Sequence, residues 1–282
     1  MMIRLGLHYD VREPAGSPEA ISALHRELVA HVADLERHDL DIAWLAEHPA
    51  DPEAAIPSAL MLCAAIAAVT TRLRFGTGVL PLPLYHPLRV AEDAATIDGI
   101  ADGRFELGVG LGGEREGFQD FGIEAAERAT RLEESIQLLR QAWSAESVKF
   151  SGAHFEIDDI DVVPKPVQSG GPPLWIGAGA PEAQRRAARF GAGLFLPEGV
   201  SPEPYIEAWE GAGNRREDAR LAVLLEDCSS EADPAPIESF AKRVGALDIL
   251  APAYRSDGSG DNRLASAREL ESFAAHWRSA LA

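Results

Sequence analysis

The 282-residue sequence is poor in cysteine and contains no long uncharged hydrophobic run. Its two cysteines, Cys63 and Cys228, are too few for a disulfide framework and form no CxxC pair. No segment approaches the roughly eighteen consecutive apolar residues of a transmembrane helix. The opening residues MMIRLGLHYD also lack the basic region and long apolar core of a signal peptide. These absences favour a protein of the reducing cytoplasm.

The sequence has far fewer basic than acidic side chains. The sequence has 45 acidic and 26 basic residues, which gives a formal net charge of -19. A surface of this sign repels phosphate backbones and anionic lipid headgroups. Nucleic acid and membranes are therefore not expected as partners.

The common motifs of metal and nucleophilic catalysis are missing as well. The eight histidines are dispersed, with no HxH or HExxH spacing, so no metal site is expected. There is no GxSxG nucleophile motif. The three lysines, Lys149, Lys165 and Lys242, do not follow predicted strands, which argues against an aldolase-like barrel. A reaction that amino-acid side chains cannot carry out by themselves would therefore require an organic cofactor.

Short apolar runs alternate with segments of helical period along the whole chain. Helical stripes occur around residues 21–35, 90–101, 132–143 and 270–277. The apolar runs are continuous, as in strands covered on both faces. Eight strands are predicted: 3–9, 42–47, 73–80, 104–111, 174–179, 193–197, 221–225 and 248–251. This pattern predicts an α/β fold of the (β/α)8 TIM-barrel type, with residues 1–282 as one domain.

One interval between predicted strands is about twice as long as the others. The fourth predicted strand begins at residue 104 and the fifth at residue 174, an interval of 70 positions. Besides a helix, it contains residues 147–172, in which Ser151 and Gly152 separate two aromatic-bearing runs. We predict a hairpin inserted between the fourth helix and the fifth strand. Because long irregular loops in compact domains are usually functional, the segment is also predicted to be a lid.

In a TIM barrel, the chemistry lies at the carboxyl-terminal ends of the strands. The second predicted strand ends in Glu47 and His48, and the first ends in His8, Tyr9 and Asp10. His48 is the best candidate for acid–base catalysis, because the reference pKa of imidazole lies near neutrality. The alternative is that this histidine, which precedes a proline, only caps a turn.

Two glycine-rich turns follow predicted strands. In IGAGAPEA, Gly177 to Ala180 precede a proline that suits a first helical position, so free N–H groups there could bind a phosphate. A simple turn is an equally good interpretation. In GVGLGG, Gly110 and Gly112 would let a flat ring approach the backbone, whereas Gly108 is as well explained by tight packing. No Rossmann pattern accompanies the latter motif.

Several stretches together resemble the bacterial luciferase-like superfamily of flavin- and deazaflavin-dependent oxidoreductases. They include IAWLAEHP, LRFGTGVLPLPLYHP, GRFELGVGLGG, FSGAHFEI, VVPKPVQ and PPLWIGAGAPEA, in this order over roughly residues 1–200. The last third is similar only in its alternation of strands and helices. The combination, rather than any one motif, carries the resemblance.

The resemblance implies a TIM barrel that binds a reduced flavin at its mouth, usually in a homodimer. It places His48 beside the flavin ring, where it supports the oxygen chemistry of the cofactor. His8, Tyr9 and Trp44 become candidate substrate or ring contacts. The predicted cofactor-binding residues are Thr77, Gly78 and Val79, with a cis peptide at Gly78–Val79, then Gly110, Leu111 and Gly112, and the phosphate turn of Gly177, Ala178, Gly179 and Ala180.

The sequence also departs from the family pattern. Leu111 stands where luciferases carry an arginine for the flavin phosphate, so phosphate binding would fall to backbone amides together with Arg115. Deazaflavin-dependent sugar-phosphate dehydrogenases carry a catalytic glutamate at about Gly113, whereas here the nearest carboxylate is Glu114.

These features favour a luciferase-like monooxygenase or related oxidoreductase that uses reduced FMN and dioxygen on a small organic substrate. A separate flavin reductase would supply the reduced FMN. One alternative is a hydride-transferring oxidoreductase that uses the deazaflavin coenzyme F-420. The other is a flavin-binding homologue without turnover.

Overall fold

The computed structural model describes residues 2–11, 17–113, 117–226, 235, 237, 244–256 and 262–280. Within them, eight parallel strands form a closed barrel, in which each strand pairs with the next barrel strand along the chain and the last pairs with the first. The barrel strands are β1 (Met2–Tyr9), β2 (Ile42–Leu45), β3 (Arg74–Pro81), β4 (Phe105–Gly110), β7 (Leu174–Gly177), β8 (Gly193–Pro197), β9 (Arg220–Leu224) and β10 (Ala246–Pro252). This confirms the predicted TIM barrel, and each predicted strand overlaps one of these eight.

The helices pack around the outside of the barrel. In the described residues they are α1 (Pro18–Asp34), α2 (Ala59–Val69), α3 (Pro87–Ile100), α4 (Arg128–Ser144), α5 (Pro181–Arg189), α6 (Glu203–Gly211) and α7 (Ala267–Ala280). The predicted stripes face inward; Val32, Ile136 and Phe273, for example, are buried. In the part of the chain that the structure describes, no helix combines the length and apolar character needed to cross a membrane.

The long interval before β7 contains an antiparallel hairpin of β5 (Val148–Ser151) and β6 (Glu156–Ile160), as predicted. A second small antiparallel pair, β11 (Tyr254–Ser256) and β12 (Asn262–Leu264), follows β10.

Residues 147–172 pack outside the barrel. The Glu134 carboxylate on α4 accepts the N–H groups of Ala153 and His154 near the hairpin turn. Further along, Lys165 donates to carbonyl oxygens at the end of α4, and the side chain of Gln168 donates to Asp98 of α3. The segment thus contacts α3 and α4, and none of its residues lines the cavity described below, so its role as a lid stays a prediction.

A buried ionic cluster fills the amino-terminal end of the barrel. The Arg4 guanidinium donates to both carboxylate oxygens of Asp248, at 2.7 and 2.6 Å. Glu106 accepts hydrogen bonds from Arg4, Arg74 and the indole nitrogen of Trp175. Although burial alone would raise the pKa of Glu106, the two guanidinium groups hold it at about 2. Glu106 is therefore ionised and paired.

An aromatic layer separates this cluster from the carboxyl-terminal end of the barrel. The rings of Trp44 and Phe195 are 4.7 Å apart, and those of Trp44 and Trp175 are 5.5 Å apart, in edge-to-face arrangements. Gly193 makes room for this layer, because a Cβ atom there would lie 2.3 Å from the Trp175 ring. The layer forms the floor under the barrel mouth.

We expect Glu106→Ala to lower the free energy of unfolding by about 3–5 kcal/mol, because it leaves Arg74 without its carboxylate and Arg4 with Asp248 alone in a buried cluster. Chemical denaturation measures this difference. The matched control is Glu92→Ala, which breaks an exposed pair with Arg89 and should change stability by less than about 1 kcal/mol. Equal small losses in both variants would contradict the stabilising role of the cluster.

Candidate active site

A cavity of about 430 Å³ opens at the carboxyl-terminal end of the barrel. Its lining includes eleven of the residues singled out in the sequence: His8, His48, Gly78, Val79, Gly110, Leu111, Gly112, Gly177, Ala178, Gly179 and Ala180. Other lining residues include Asp10, Glu47, Gly113, Phe195, Pro197 and Leu224. The strand tips thus bring together both glycine-rich turns and both candidate histidines.

Three of the residues proposed for binding do not line this cavity. Successive side chains of a strand point to opposite faces. His8 is directed inward, so Tyr9 points outward, where its hydroxyl group forms a hydrogen bond with His31 on α1 at 2.7 Å. Trp44 points inward but lies one layer too deep, in the aromatic floor. Thr77 is buried and bonds the backbone of Gly108. The structure therefore places these three residues outside the cavity lining, and their direct contact with a ligand stays a prediction.

The Gly78–Val79 peptide bond is cis, as the resemblance predicted. The pairing of β3 with β4 shifts register between Thr77 and Leu80, so the backbone bulges at this point. The Nε2 atom of His8 lies 2.5 Å from the carbonyl oxygen of Gly78. Because a carbonyl oxygen only accepts, Nε2 carries the hydrogen. Burial lowers the pKa of His8, which favours the neutral ring.

His48 lies in the loop that follows β2, with its backbone N–H bonded to the carbonyl of Ile56. Its Nε2 atom is 3.2 Å from Oδ1 of Asp10, which follows β1. The imidazole is 21% exposed and the Asp10 side chain 39% exposed, so the pair is open to the cavity and to solvent. The sequence placed Asp10 at the tip of the first strand but did not assign it a role.

Glu47 is buried beside His48 and joins the β2 loop to two other elements. Its Oε1 accepts the hydroxyl hydrogen of Tyr85, and its Oε2 accepts the backbone N–H of Ala59, the first residue of α2, at 2.6 Å. Burial raises the pKa of Glu47 to about 7, although both hydrogen bonds oppose this shift. The only sequence signal for this anchoring role is a carboxylate at the end of an apolar run.

The turn from Gly177 to Ala180 leads directly into α5, whose first residue is Pro181. The side chain of the cap residue Ala180 makes no hydrogen bond to this helix start, and the buried Gln184 holds the turn by donating to the carbonyl of Gly179. Such a helix start favours an anion. The candidate phosphate ligand Arg115 and the carboxylate Glu114 lie outside the described residues.

The glycine-rich stretch after β4 serves two purposes. A Cβ atom at Gly108 would lie 2.1 Å from the carbonyl oxygen of Thr77, so tight packing explains this glycine. Gly110 and Gly112 line the cavity, and Gly110 also makes room for a neighbour, because a Cβ atom there would lie 2.7 Å from the Val79 side chain.

We expect stability to depend on pH through Glu47. Its pKa is raised from 4.5 to about 7, so the folded protein retains a proton that the unfolded chain loses. The free energy of unfolding should therefore fall as the pH rises from 4.5 towards 7, by up to about 3 kcal/mol. Denaturation of Glu47→Gln across this range should show a smaller fall than in the wild type. The exposed control Glu217→Gln should retain the wild-type slope, and an unchanged slope in Glu47→Gln would contradict the buried proton.

Curated relatives include several F420-dependent glucose-6-phosphate dehydrogenases. The F420-dependent glucose-6-phosphate dehydrogenase of Kineococcus radiotolerans is 30% identical over 271 residues, which are 89% of this chain and 78% of that protein. The enzyme of the same name from Amycolatopsis mediterranei is 34% identical over 192 residues, which are 64% of this chain and 56% of that protein. The chain therefore spans a little over half to about three quarters of their length.

Among solved structures, the monooxygenase RslO1 of Streptomyces bottropensis has the same fold. The TM-score is 0.82 with 20% identity, covering 99% of this chain and 100% of that chain.

A family model supplies the more general assignment. The model described as luciferase-like monooxygenase matches residues 8–281, nearly the whole chain. The match includes both glycine-rich turns and the segment that carries His48. The chain belongs to the luciferase-like monooxygenase family.

Proposed function

We propose that the protein is a flavin-dependent monooxygenase that uses reduced FMN and dioxygen on a small organic substrate, with the whole chain acting as one barrel domain. The observation that supports this best is the meeting of His48 and Asp10, 3.2 Å apart, with the Gly78–Val79 bulge in one cavity. In this family, the corresponding bulge and histidine are expected beside the flavin ring.

The cavity residues fit a flavin. The volume of about 430 Å³ lies within the range of about 300–1,000 Å³ that is usual for cofactor pockets. The bare backbone of Gly110 and Gly177 allows a flat ring to approach closely. The start of α5 would hold the phosphate, and Phe195, Pro197 and Leu224 give the cavity an apolar side.

The chain itself would contribute binding, orientation and proton transfer. Reduced FMN, when bound, supplies the electrons that activate dioxygen. His48 holds or delivers a proton at its imidazole, while His8 remains neutral and fixes the Gly78 carbonyl. The apolar side chains at the tips of β8 and β9 exclude water from the reacting region. We further propose that a separate reductase supplies the reduced cofactor and that the protein is a homodimer.

The second candidate is hydride transfer with the deazaflavin coenzyme F-420. Relatives named as F420-dependent dehydrogenases, 30% and 34% identical, favour it. Gly113 argues against it, because this lining residue has no side chain where such dehydrogenases carry their glutamate. A flavin-binding homologue without turnover is the third candidate.

We expect His48→Ala to bind FMN within a few-fold of the wild type but to lower turnover by about 100-fold, the usual contribution of a positioned acid or base. Oxygen uptake with reduced FMN across a substrate panel measures turnover. His86→Ala is the matched control, since His86 lies at the start of α3 against Phe155. Wild-type turnover in His48→Ala would remove His48 from the reaction.

Anaerobic fluorescence titration with reduced FMN and with reduced coenzyme F-420 distinguishes the cofactors. We expect FMN to bind at least about tenfold more tightly, a difference of about 1.4 kcal/mol. Tight binding of coenzyme F-420 alone would overturn the choice of FMN.

The variant Ala180→Asp tests the phosphate turn in the same assay. A carboxylate at the start of α5 should repel the FMN phosphate and weaken FMN binding by about tenfold or more. Binding of riboflavin, which has no phosphate, should change little. Equal losses for both ligands would place the phosphate elsewhere.

A further inference from the structure

The cavity contains two histidines whose partners differ in charge. Nε2 of His8 contacts the carbonyl oxygen of Gly78, and Nε2 of His48 contacts a carboxylate oxygen of Asp10. A carbonyl group is a neutral acceptor, whereas a carboxylate is both an acceptor and a negative charge. The two rings are therefore expected to respond differently to protonation.

Burial disfavours a second proton on His8. Its single N–H group already satisfies the Gly78 carbonyl, and its buried ring would carry a positive charge away from water. The Gly78 carbonyl and the Asp10 carboxylate favour charge on His8 but do not outweigh its burial, and a protonated His48 nearby disfavours that charge further. Its contact with Gly78 instead holds the carbonyl group of the Gly78–Val79 cis peptide itself.

His48 is placed to change its charge. The Asp10 carboxylate stabilises the protonated imidazole and directs Nε2 towards itself. The ring is half-buried rather than enclosed, so it can exchange protons with solvent between turnovers. In the described part of the chain, the ionisable groups shown to interact with His48 are Asp10, His8 and Glu47.

We propose that Asp10 is the positioning residue of His48, that the two together handle the proton in this cavity, and that His8 is a neutral support for the Gly78 carbonyl. In the forward step, an N–H bond of protonated His48 breaks, the proton passes to the bound ligand, and the electron pair remains on the ring nitrogen. Solvent then restores the proton. This inference rests on the proposed function in one respect, because the proposed function identifies the reaction in which this proton is used.

The test is an NMR titration of the full chain without cofactor, with ¹⁵N-labelled histidine. The variants His8→Gln and His48→Gln assign the two signals. We expect His48 to titrate about one pH unit lower in Asp10→Asn than in the wild type, since a nearby carboxylate shifts an imidazole by this order. His8 should keep the Nε2–H tautomer throughout the range in which His48 titrates.

Two further variants control this measurement. Asp10→Glu retains the charge and should restore most of the wild-type titration. Asp158→Asn removes an exposed carboxylate on β6 and should leave His48 unchanged. An unchanged His48 titration in Asp10→Asn, or protonation of His8 before His48, would overturn the proposal.

Kinetics separate this inference from the proposed function. With a substrate, Asp10→Asn should lower kcat by about tenfold or more and move the pH profile, with little change in KM. A shifted His48 titration in a protein without oxygenase activity would support the pairing of Asp10 with His48 and reject the monooxygenase. Wild-type kcat and pH profile in Asp10→Asn would reject the pair while leaving the monooxygenase in place.

Discussion

Glu106 is the buried carboxylate that connects the strands of the barrel below the cavity. Its hydrogen bonds join β4 to Arg4 of β1, Arg74 of β3 and Trp175 of β7, and Arg4 continues the connection to β10. An ionised carboxylate away from water is stable only with such partners. The aromatic layer rests on this cluster, so the charged end of the barrel and the cavity stay separate.

This separation explains why the reactive groups gather at one end. Phe195 belongs to the aromatic layer and also lines the cavity, so the floor of the site is fixed by packing rather than by a mobile loop. Above it, side chains at the strand tips and in the loops meet the exposed backbone of the glycine turns. His48 and Glu47 are neighbours in the chain. The His48 ring faces the partly exposed carboxylate of Asp10, whereas the Glu47 carboxylate accepts the backbone N–H at the start of α2. Their environments, rather than their residue types, separate their roles.

The strands could be predicted because both faces of a barrel strand are buried, which leaves continuous apolar runs in the sequence. The two faces could not be told apart from such runs, so Tyr9 was expected in the cavity although His8 takes the inward position. Depth along the barrel was equally hidden, and Trp44 was expected one layer too high. For residues 147–172, the sequence predicts a hairpin but not the surface of α3 and α4 against which it packs.

At the site, the sequence identified single residues better than pairs. His48 and the two glycine turns carry local motifs, and the resemblance predicted the cis bond at Gly78–Val79. The contacts of Asp10 with His48 and of Glu47 with Tyr85 join residues 38 positions apart in the sequence. No local pattern encodes such contacts, because they arise only when the barrel closes.

A crystal structure of the full chain with FMN tests the central claim most directly, since it locates the ring and the phosphate independently of any substrate. The expected result is a flavin ring against the Gly78–Val79 bulge, within reach of His48, with its phosphate at the turn from Gly177 to Ala180. A flavin bound outside this cavity, or one whose ring lies far from His48, would contradict the assignment of the site.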